Sequence, residues 1–475
     1  MPRPYNRAAC NTCRNRKVRC DETLPICTRC QKTGRHCDRS EAPLRYQIIN
    51  GRKASGDDSS ESPPLLSPDV PRKVLESARM ADFFQHYITH LAPWYDLSDA
   101  RCTFGTTVPR IALDDPLLFS AVMALSAMRV SNTISPSSSA SGSREVAEFY
   151  HGCCIRLLIA LQEGDRWLEG GVALAATCLL RSYEILDTAQ DADPNRHLAG
   201  AYSLASFPFQ HHESSIPTTI LSRGLFAAGF WNYLREDITF SLFRGCPLKI
   251  DLDSLIPHLW DVSLPSDRTS SDDQDQLNSI SLVLGQMINA AFGKGDDGKC
   301  DGTLMDKESW MILLEMAKSW RAALPPHFEP FSAATAGSMT ELPSMRVLHD
   351  CHAASHHYYL ISCMILVHQG KLLGQTQELR SLLLATDTAA LRLNPETEPE
   401  DVLEGLALQI CGIAFTSNAP TVLVNAFGPM SYASRWIRNP AARKELERNL
   451  FACKKSTGWP VERIMSDAAA SQTSP

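Results

Sequence analysis

Residues 9–38 read ACNTCRNRKVRCDETLPICTRCQKTGRHCD. Six cysteines recur in this stretch as C-x2-C-x6-C-x6-C-x2-C-x6-C, and Arg14, Arg16, Lys17 and Arg19 crowd between the second and third. A structural zinc takes four tetrahedral ligands, commonly all thiolate. One zinc would leave two of the six cysteines (Cys10, Cys13, Cys20, Cys27, Cys30, Cys37) idle, and two zincs need eight ligand places. Six thiolates fill eight places only when two of them bridge both metals. The stretch also repeats itself, since Cys10-x2-Cys13-x6-Cys20 is echoed by Cys27-x2-Cys30-x6-Cys37. Each C-x2-C pair can open a helical turn around a metal, so the spacing predicts a binuclear cluster of two similar halves. A disulfide framework belongs to small secreted domains. The Met-Pro-Arg-Pro start with no apolar segment behind it argues against one.

In every cysteine spacing residues 10–37 resemble the fungal binuclear zinc cluster (Zn2Cys6) of transcription factors. The Ala9 to Asp21 stretch, with its Cys-Arg-x-Arg-Lys-x-Arg-Cys run, and Pro25 between the halves fit the same pattern. The resemblance implies two short helices around two zincs, with Cys10 and Cys27 bridging. Cys13 and Cys20 would complete one metal, and Cys30 and Cys37 the other. It also implies that Arg16 and Lys17 reach the base edges of a CGG-like triplet in double-stranded DNA. Arg and Lys donate well to guanine O6 and N7 in the major groove. Arg14 and Arg19 would then hold phosphates, which set orientation without reading sequence.

Charge agrees with a DNA-binding tip on a different kind of body. The whole chain carries a formal −7, yet residues 1–40 hold ten Lys/Arg against Asp21, Glu22 and Asp38, a local +7, which leaves −14 for the rest. Past the cluster, Gly51, Ser55 to Glu61 and Pro63, Pro64, Pro68 and Pro71 cannot bury much apolar surface, so 41–72 reads as a flexible linker. Leu44 and Ile48 could begin a heptad repeat, but Gly51 and the prolines stop it. The factor therefore either binds as a monomer or forms a homodimer through its large domain.

Residues 73–463 are long enough for a sizeable core, and their periodicity is helical almost throughout, which predicts a large all-α domain. Val74, Ala81, Phe84, Ile88 and Leu91 mark one face of a first helix ended by Pro93-Trp94. Helices are expected near 115–130, 144–163, 169–190, 217–243, 275–293, 305–323, 347–369, 401–415 and 440–455, with polar loops at 131–143, 266–276 and 294–302. Residues 464–475 read as a disordered tail. This segment resembles, diffusely, the fungal-specific transcription factor regulatory domain. The residues that carry the likeness include Pro93 to Leu97, Asp115 to Leu118, Trp231 to Phe240, Cys246-Pro247-Leu248, Arg435-Trp436-Ile437 and Thr457 to Pro460. The likeness implies an all-helical module for regulation, dimerisation and effector response.

Catalytic patterns are missing. There is no phosphate-binding G-x-x-x-x-G-K-[ST] loop and no G-x-S-x-G elbow. The histidine-rich run His349, Cys351, His352, His356, His357, Cys363, His368 lacks H-E-x-x-H, since Ala353 follows His352, and reads as hydrogen-bonded core histidines. Arg235-Glu236-Asp237 reads as an intradomain ion-pair network rather than an acid/base site. Cys153-Cys154 reads as core rather than an oxidant sensor. No run of eighteen apolar residues suggests a membrane span. The expectation is a nuclear, zinc-dependent, sequence-specific regulator of RNA polymerase II transcription that controls a metabolic pathway and works with transcription machinery or co-regulators. It is not an enzyme. The competing readings are an adaptor recruited through another factor, and a small-molecule receptor whose helical domain carries the main function.

Overall fold

A computed structural model describes residues 12–13, 20–21, 27–35, 37, 67–133, 138–162, 165–187, 202–206, 223–252, 255, 273–293, 305–334, 340–375, 378–379, 398–462 and 464–465. The chain divides into two compact units, Met1–Pro64 and Leu65–Pro475.

In the first unit α1, Thr28–Lys32, starts at Cys27, whose thiol accepts the N–H of Cys30. It stops at Gly34, which takes φ +61°, a left-handed conformation that glycine adopts without a Cβ penalty. That turn lets the Arg35 N–H reach the Cys30 carbonyl at 3.0 Å.

The second unit is helical. The expected first helix is broken into α2 (Pro71–Val74), α3 (Ala78–His86), a π turn (Tyr87–Leu91) and a 3-10 turn (Ala92–Trp94). Met80, Phe83, Phe84, Tyr87 and Leu91 are its buried face. Then follow α4 (Thr103–Ala112), α5 (Pro116–Thr133), α6 (Ser138–Ile159), α7 (Arg166–Glu169), α8 (Val172–Leu186), α9 (Leu225–Arg244), α10 (Asp273–Ala291) and α11 (Lys307–Ala323). A two-stranded antiparallel ladder pairs β1 (Ser332–Ala334) with β2 (Ser344–Arg346) through Ala333 opposite Met345. The chain continues with α12 (Asp350–Leu372), α13 (Pro399–Ser417), α14 (Pro420–Ser434) and α15 (Pro440–Thr457).

Helices α5 and α12 are among those buried on every face, and they are the centres of the body. On α5 every residue from Leu117 to Arg129 is buried, and on α12 the same holds from His352 to Val367. Helices α3, α4, α6 and α8 pack around α5; α10, α11, α13 and α14 pack around α12; and α9 joins the two groups through α8, α10 and α14. One contiguous core runs from Val74 to Ile464. The ends of the helices are chemically marked. Asp115 accepts the Leu118 N–H at 3.0 Å at the head of α5 and the Trp167 indole N–H at 2.6 Å. Asp306 and Asn439 cap α11 and α15.

Several local expectations shift. The serine-rich 131–143 segment is helical at both ends, since α5 runs to Thr133 and α6 begins at Ser138. The acidic 266–276 loop gives up Asp273 to Gln276 to the first turn of α10, where Asp273 and Asp275 face the positive end of the helix dipole. Helices α4 and α14 and the β ladder go beyond the expected list. Packing carries through to Ile464 and Met465, two residues past the expected boundary. The 294–302 loop, most of the linker and residues 466–475 lie outside the described residues.

Candidate metal centre

Cys13, Cys20, Cys27 and Cys30 are buried to 8 % exposure or less, and Cys37 lies half-buried against them. This cluster of buried side chains consists of sulfur alone; among the described residues no aliphatic or aromatic group joins it. The Sγ of Cys13 is 3.7 Å from that of Cys27 and 3.9 Å from that of Cys30. Thiolates about 2.3 Å from a tetrahedral zinc sit about 3.8 Å from one another, so the Cys13–Cys27 spacing fits an edge of such a site, while Cys13 and Cys30, expected on different metals, lie equally close. All five described cysteines are free thiols rather than disulfides. Ligand atoms of Cys13, Cys27 and Cys30 converge within 4.8 Å, and those of Cys20, Asp21 and Cys27 do so as well. Cys27 belongs to both groups.

Backbone donors complete the surroundings. The Cys30 N–H points at Cys27 Sγ and the Cys27 N–H at Cys37 Sγ, each at 3.4 Å. Asp21 accepts the Thr28 N–H at 3.2 Å, tying the third cysteine's neighbour to the head of α1. Sequence reasoning passed over Asp21; its position directly after Cys20 was the available signal. Cys10 and the four basic residues Arg14, Arg16, Lys17 and Arg19 lie outside the described residues.

The helical unit was searched for chemistry in the same way. His356 Nε2 donates to the Phe328 carbonyl at 2.9 Å and His357 Nε2 to that of Ile410 at 3.1 Å. Burial pushes both imidazoles down, His357 to about 3, so they stay neutral. His352 approaches Asp273 at 2.9 Å, and His327, half-exposed, approaches the other oxygen of the same carboxylate at 2.6 Å. That carboxylate is shared from another helix, and His327 was not singled out beforehand. His356 and His357 thus serve as packing and hydrogen-bonding groups, whereas the ligand atoms of Asp273, Cys351 and His352 converge within 4.8 Å of one another.

Within the Arg235-Glu236-Asp237 run Glu236 joins an ion-pair network through Arg181 and Glu184, while its two neighbours leave α9 in other directions. Arg235 donates to Ser98 Oγ and, at 2.9 Å, to Asn232 Oδ1. Glu236 faces Arg181 at 3.7 Å. Asp237 accepts the N–H groups of Lys249 and Ile250 at 2.8 and 3.0 Å. Cys153 and Cys154 are both buried, and burial raises both thiols, which keeps them in the unreactive protonated form.

Comparison with known proteins bears on both units. Residues 8–47 match the fungal Zn(2)-Cys(6) binuclear cluster domain, and residues 82–218 match the fungal specific transcription factor domain. Transcription regulator lscL of Purpureocillium lilacinum is 33 % identical over 120 residues, 24 % of this chain and 27 % of that protein. Transcriptional regulatory protein moc3 of Schizosaccharomyces pombe is 48 % identical over 93 residues, 18 % of this chain and 17 % of that protein. The aspercryptin biosynthesis cluster-specific transcription regulator atnN of Emericella nidulans is 61 % identical over 33 residues, 7 % of this chain and 5 % of that protein. The chain thus spans about a quarter of the length of the first of these relatives and less of the others. No solved structure matches it. No helix among the described residues is long and apolar enough to cross a membrane.

Proposed function

We propose, for a chain that belongs to the fungal Zn(2)-Cys(6) transcription regulators, that residues 1–40 form a DNA-binding domain that reads a CGG-like triplet. The observation that supports this most is the all-sulfur cluster of Cys13, Cys20, Cys27 and Cys30 inside the matched segment. Two zinc ions supply the folding free energy of that segment, whose described residues bury sulfur and no apolar side chain. Cys10 and Cys27 bridge the metals; Cys27, as the member common to both convergent groups, suits that role. Arg16 and Lys17 donate to guanine edges in the major groove, and Arg14 and Arg19 hold the flanking phosphates. The local +7 of residues 1–40 draws the domain to DNA and makes its affinity fall with salt.

Residues 41–72 link this reader to the helical body of 73–463, which serves regulation and homodimer formation, and 464–475 form a tail. The protein works in the nucleus with transcription machinery or co-regulators. Control of a metabolic pathway is supported by the likeness to the aspercryptin biosynthesis cluster-specific transcription regulator atnN. Site selection from randomised duplex DNA tests the reading. The full chain should enrich a CGG-like triplet, and Arg16→Ala with Lys17→Ala should remove the preference. Recruitment to chromatin that survived this double substitution would replace the reader with an adaptor.

A further inference from the structure

A second convergence of metal-binding side chains lies in the helical unit, apart from the cysteine cluster. The ligand atoms of Asp273, Cys351 and His352 come within 4.8 Å of one another. They are brought together by two helices. Asp273 opens α10, and Cys351 and His352 stand in the first turn of α12. A carboxylate, a thiol and an imidazole form a donor set that suits zinc. The sulfur and the ring nitrogen set it apart from the oxygen-only sites that calcium and magnesium take.

Hydrogen bonding alone leaves this cluster unfinished. His352 is fully buried, and its Nε2 meets Asp273 Oδ2 at 2.9 Å. An ionised carboxylate only accepts, so that nitrogen carries the proton and Nδ1 holds a bare lone pair. Nδ1 is buried and has no partner. Buried polar atoms are nearly always paired, so this one calls for an explanation. Phe328 stacks on the same imidazole with ring centres 3.9 Å apart and keeps water from that face. His327, half-exposed on the 3-10 turn Pro326–Phe328, meets the other oxygen of Asp273 at 2.6 Å. Carboxylates that bind metals are commonly anchored by such an outer hydrogen bond.

We propose that Asp273, Cys351 and His352 bind one zinc ion through a carboxylate oxygen, the thiolate and a ring nitrogen, with the fourth tetrahedral place taken by water. Thiolate and carboxylate together balance the charge of the divalent ion, and the thiol proton leaves to solvent on binding. Both anionic ligands stand in first turns, where the positive end of the helix dipole favours them. The ion clasps the head of α10 to the head of α12, so the helical unit gains stability as zinc binds.

The test counts zinc on the full-length chain by atomic spectroscopy after equilibration in a series of zinc buffers. The parent, Cys351→Ser and Asp273→Asn share the same cysteine cluster, so whatever that cluster holds cancels in the comparison. The parent should carry one zinc more than either variant, and the free zinc that fills this place should rise at least about tenfold in each variant. Cys102→Ser removes an exposed thiol that joins none of the convergent groups and should match the parent. Zinc should also raise the urea midpoint of the helical unit in the parent and leave it unmoved in Cys351→Ser and Asp273→Asn. Both substitutions keep the shape of the native side chain and neither residue is fully buried, so the helical circular dichroism should equal that of the parent. Equal zinc counts in the parent and either variant, or a parent whose helical unit ignores zinc, would overturn the proposal. His352, Asp273 and His327 would then form a hydrogen-bonded bridge and nothing more.

Discussion

The guanidinium carbon of Arg181 stands 4.3 Å from the centre of the Phe240 ring, which joins α8 to α9 through a fully buried cation. The same side chain reaches Glu184 at 3.2 Å and Glu236 at 3.7 Å. Removing one partner of a buried ion pair strands the other and costs about 3–5 kcal/mol. Arg181→Ala should therefore lower stability by that order. Arg181→Met keeps contact with Phe240, and burial already pushes the Glu236 carboxyl up to about 8, so that group can go neutral. The Met variant should lose less than the Ala variant. Urea midpoints of the two, read by tryptophan fluorescence, compare them, and equal losses would remove the electrostatic account.

Two glycines should fail for different reasons. A Cβ at Gly412 on α13 would lie 2.0 Å from the carbonyl oxygen of Pro343, just before β2. Gly412→Ala must push the ladder off the helix, with a cost of about 1–3 kcal/mol or more. Gly245, which ends α9 at φ +64°, has nothing within 4 Å of such an atom. Gly245→Ala should cost only the strain of its left-handed backbone, about 1 kcal/mol. Thermal unfolding that ranked Gly245→Ala as the more damaging would contradict the close approach at Pro343.

Asp237 gives the body a definite pH response. Burial raises its carboxyl from 3.8 to about 6, partly opposed by the N–H groups of Ile250 and Lys249. Between those two values the folded chain keeps a proton that the unfolded chain has shed, so this group's contribution to stability falls as pH rises through the window and is level above it. Asp237→Asn removes that slope. The stability of the variant minus that of the parent should grow from pH 4 to about pH 6 and then stay constant. A difference independent of pH would show that Asp237 titrates normally.

The cysteine cluster predicts unequal substitutions. Cys27 belongs to both convergent groups and Cys30 to one. Cys27→Ser should release both zinc ions of the cluster, whereas Cys30→Ser should retain part of the metal; zinc counted per chain by atomic spectroscopy separates them. Chelation should abolish DNA binding while the helical unit stays folded.

Most helices were legible because their apolar residues recur with helical period. Helix α4 was not legible. Its Thr-Phe-Gly-Thr-Thr-Val-Pro sequence combines poor helix formers with Pro109. Tertiary contacts supply what local propensity does not: Phe104, Val108 and Ala112 are buried at four-residue spacing, and Asp96 receives the Phe104 and Gly105 N–H groups at 2.8 Å. Helix α14 was masked by Pro420 and Pro429. Pro420 stands in its first turn, where no N–H is needed, and Gly428 lets it cross α9 against Thr239. The metal ligands were legible because spacing along the chain is itself the signal.

Among the described residues of the N-terminal unit the buried cluster is sulfur alone, so zinc sets its stability through a chemical potential. Each tenfold change in free zinc moves the folding equilibrium of that unit by about 1.4 kcal/mol per bound ion. The helical body is held by its apolar core, whose strength follows temperature. One polypeptide therefore answers to two thermodynamic variables, and zinc scarcity can silence its N-terminal unit while the rest of the molecule stays folded.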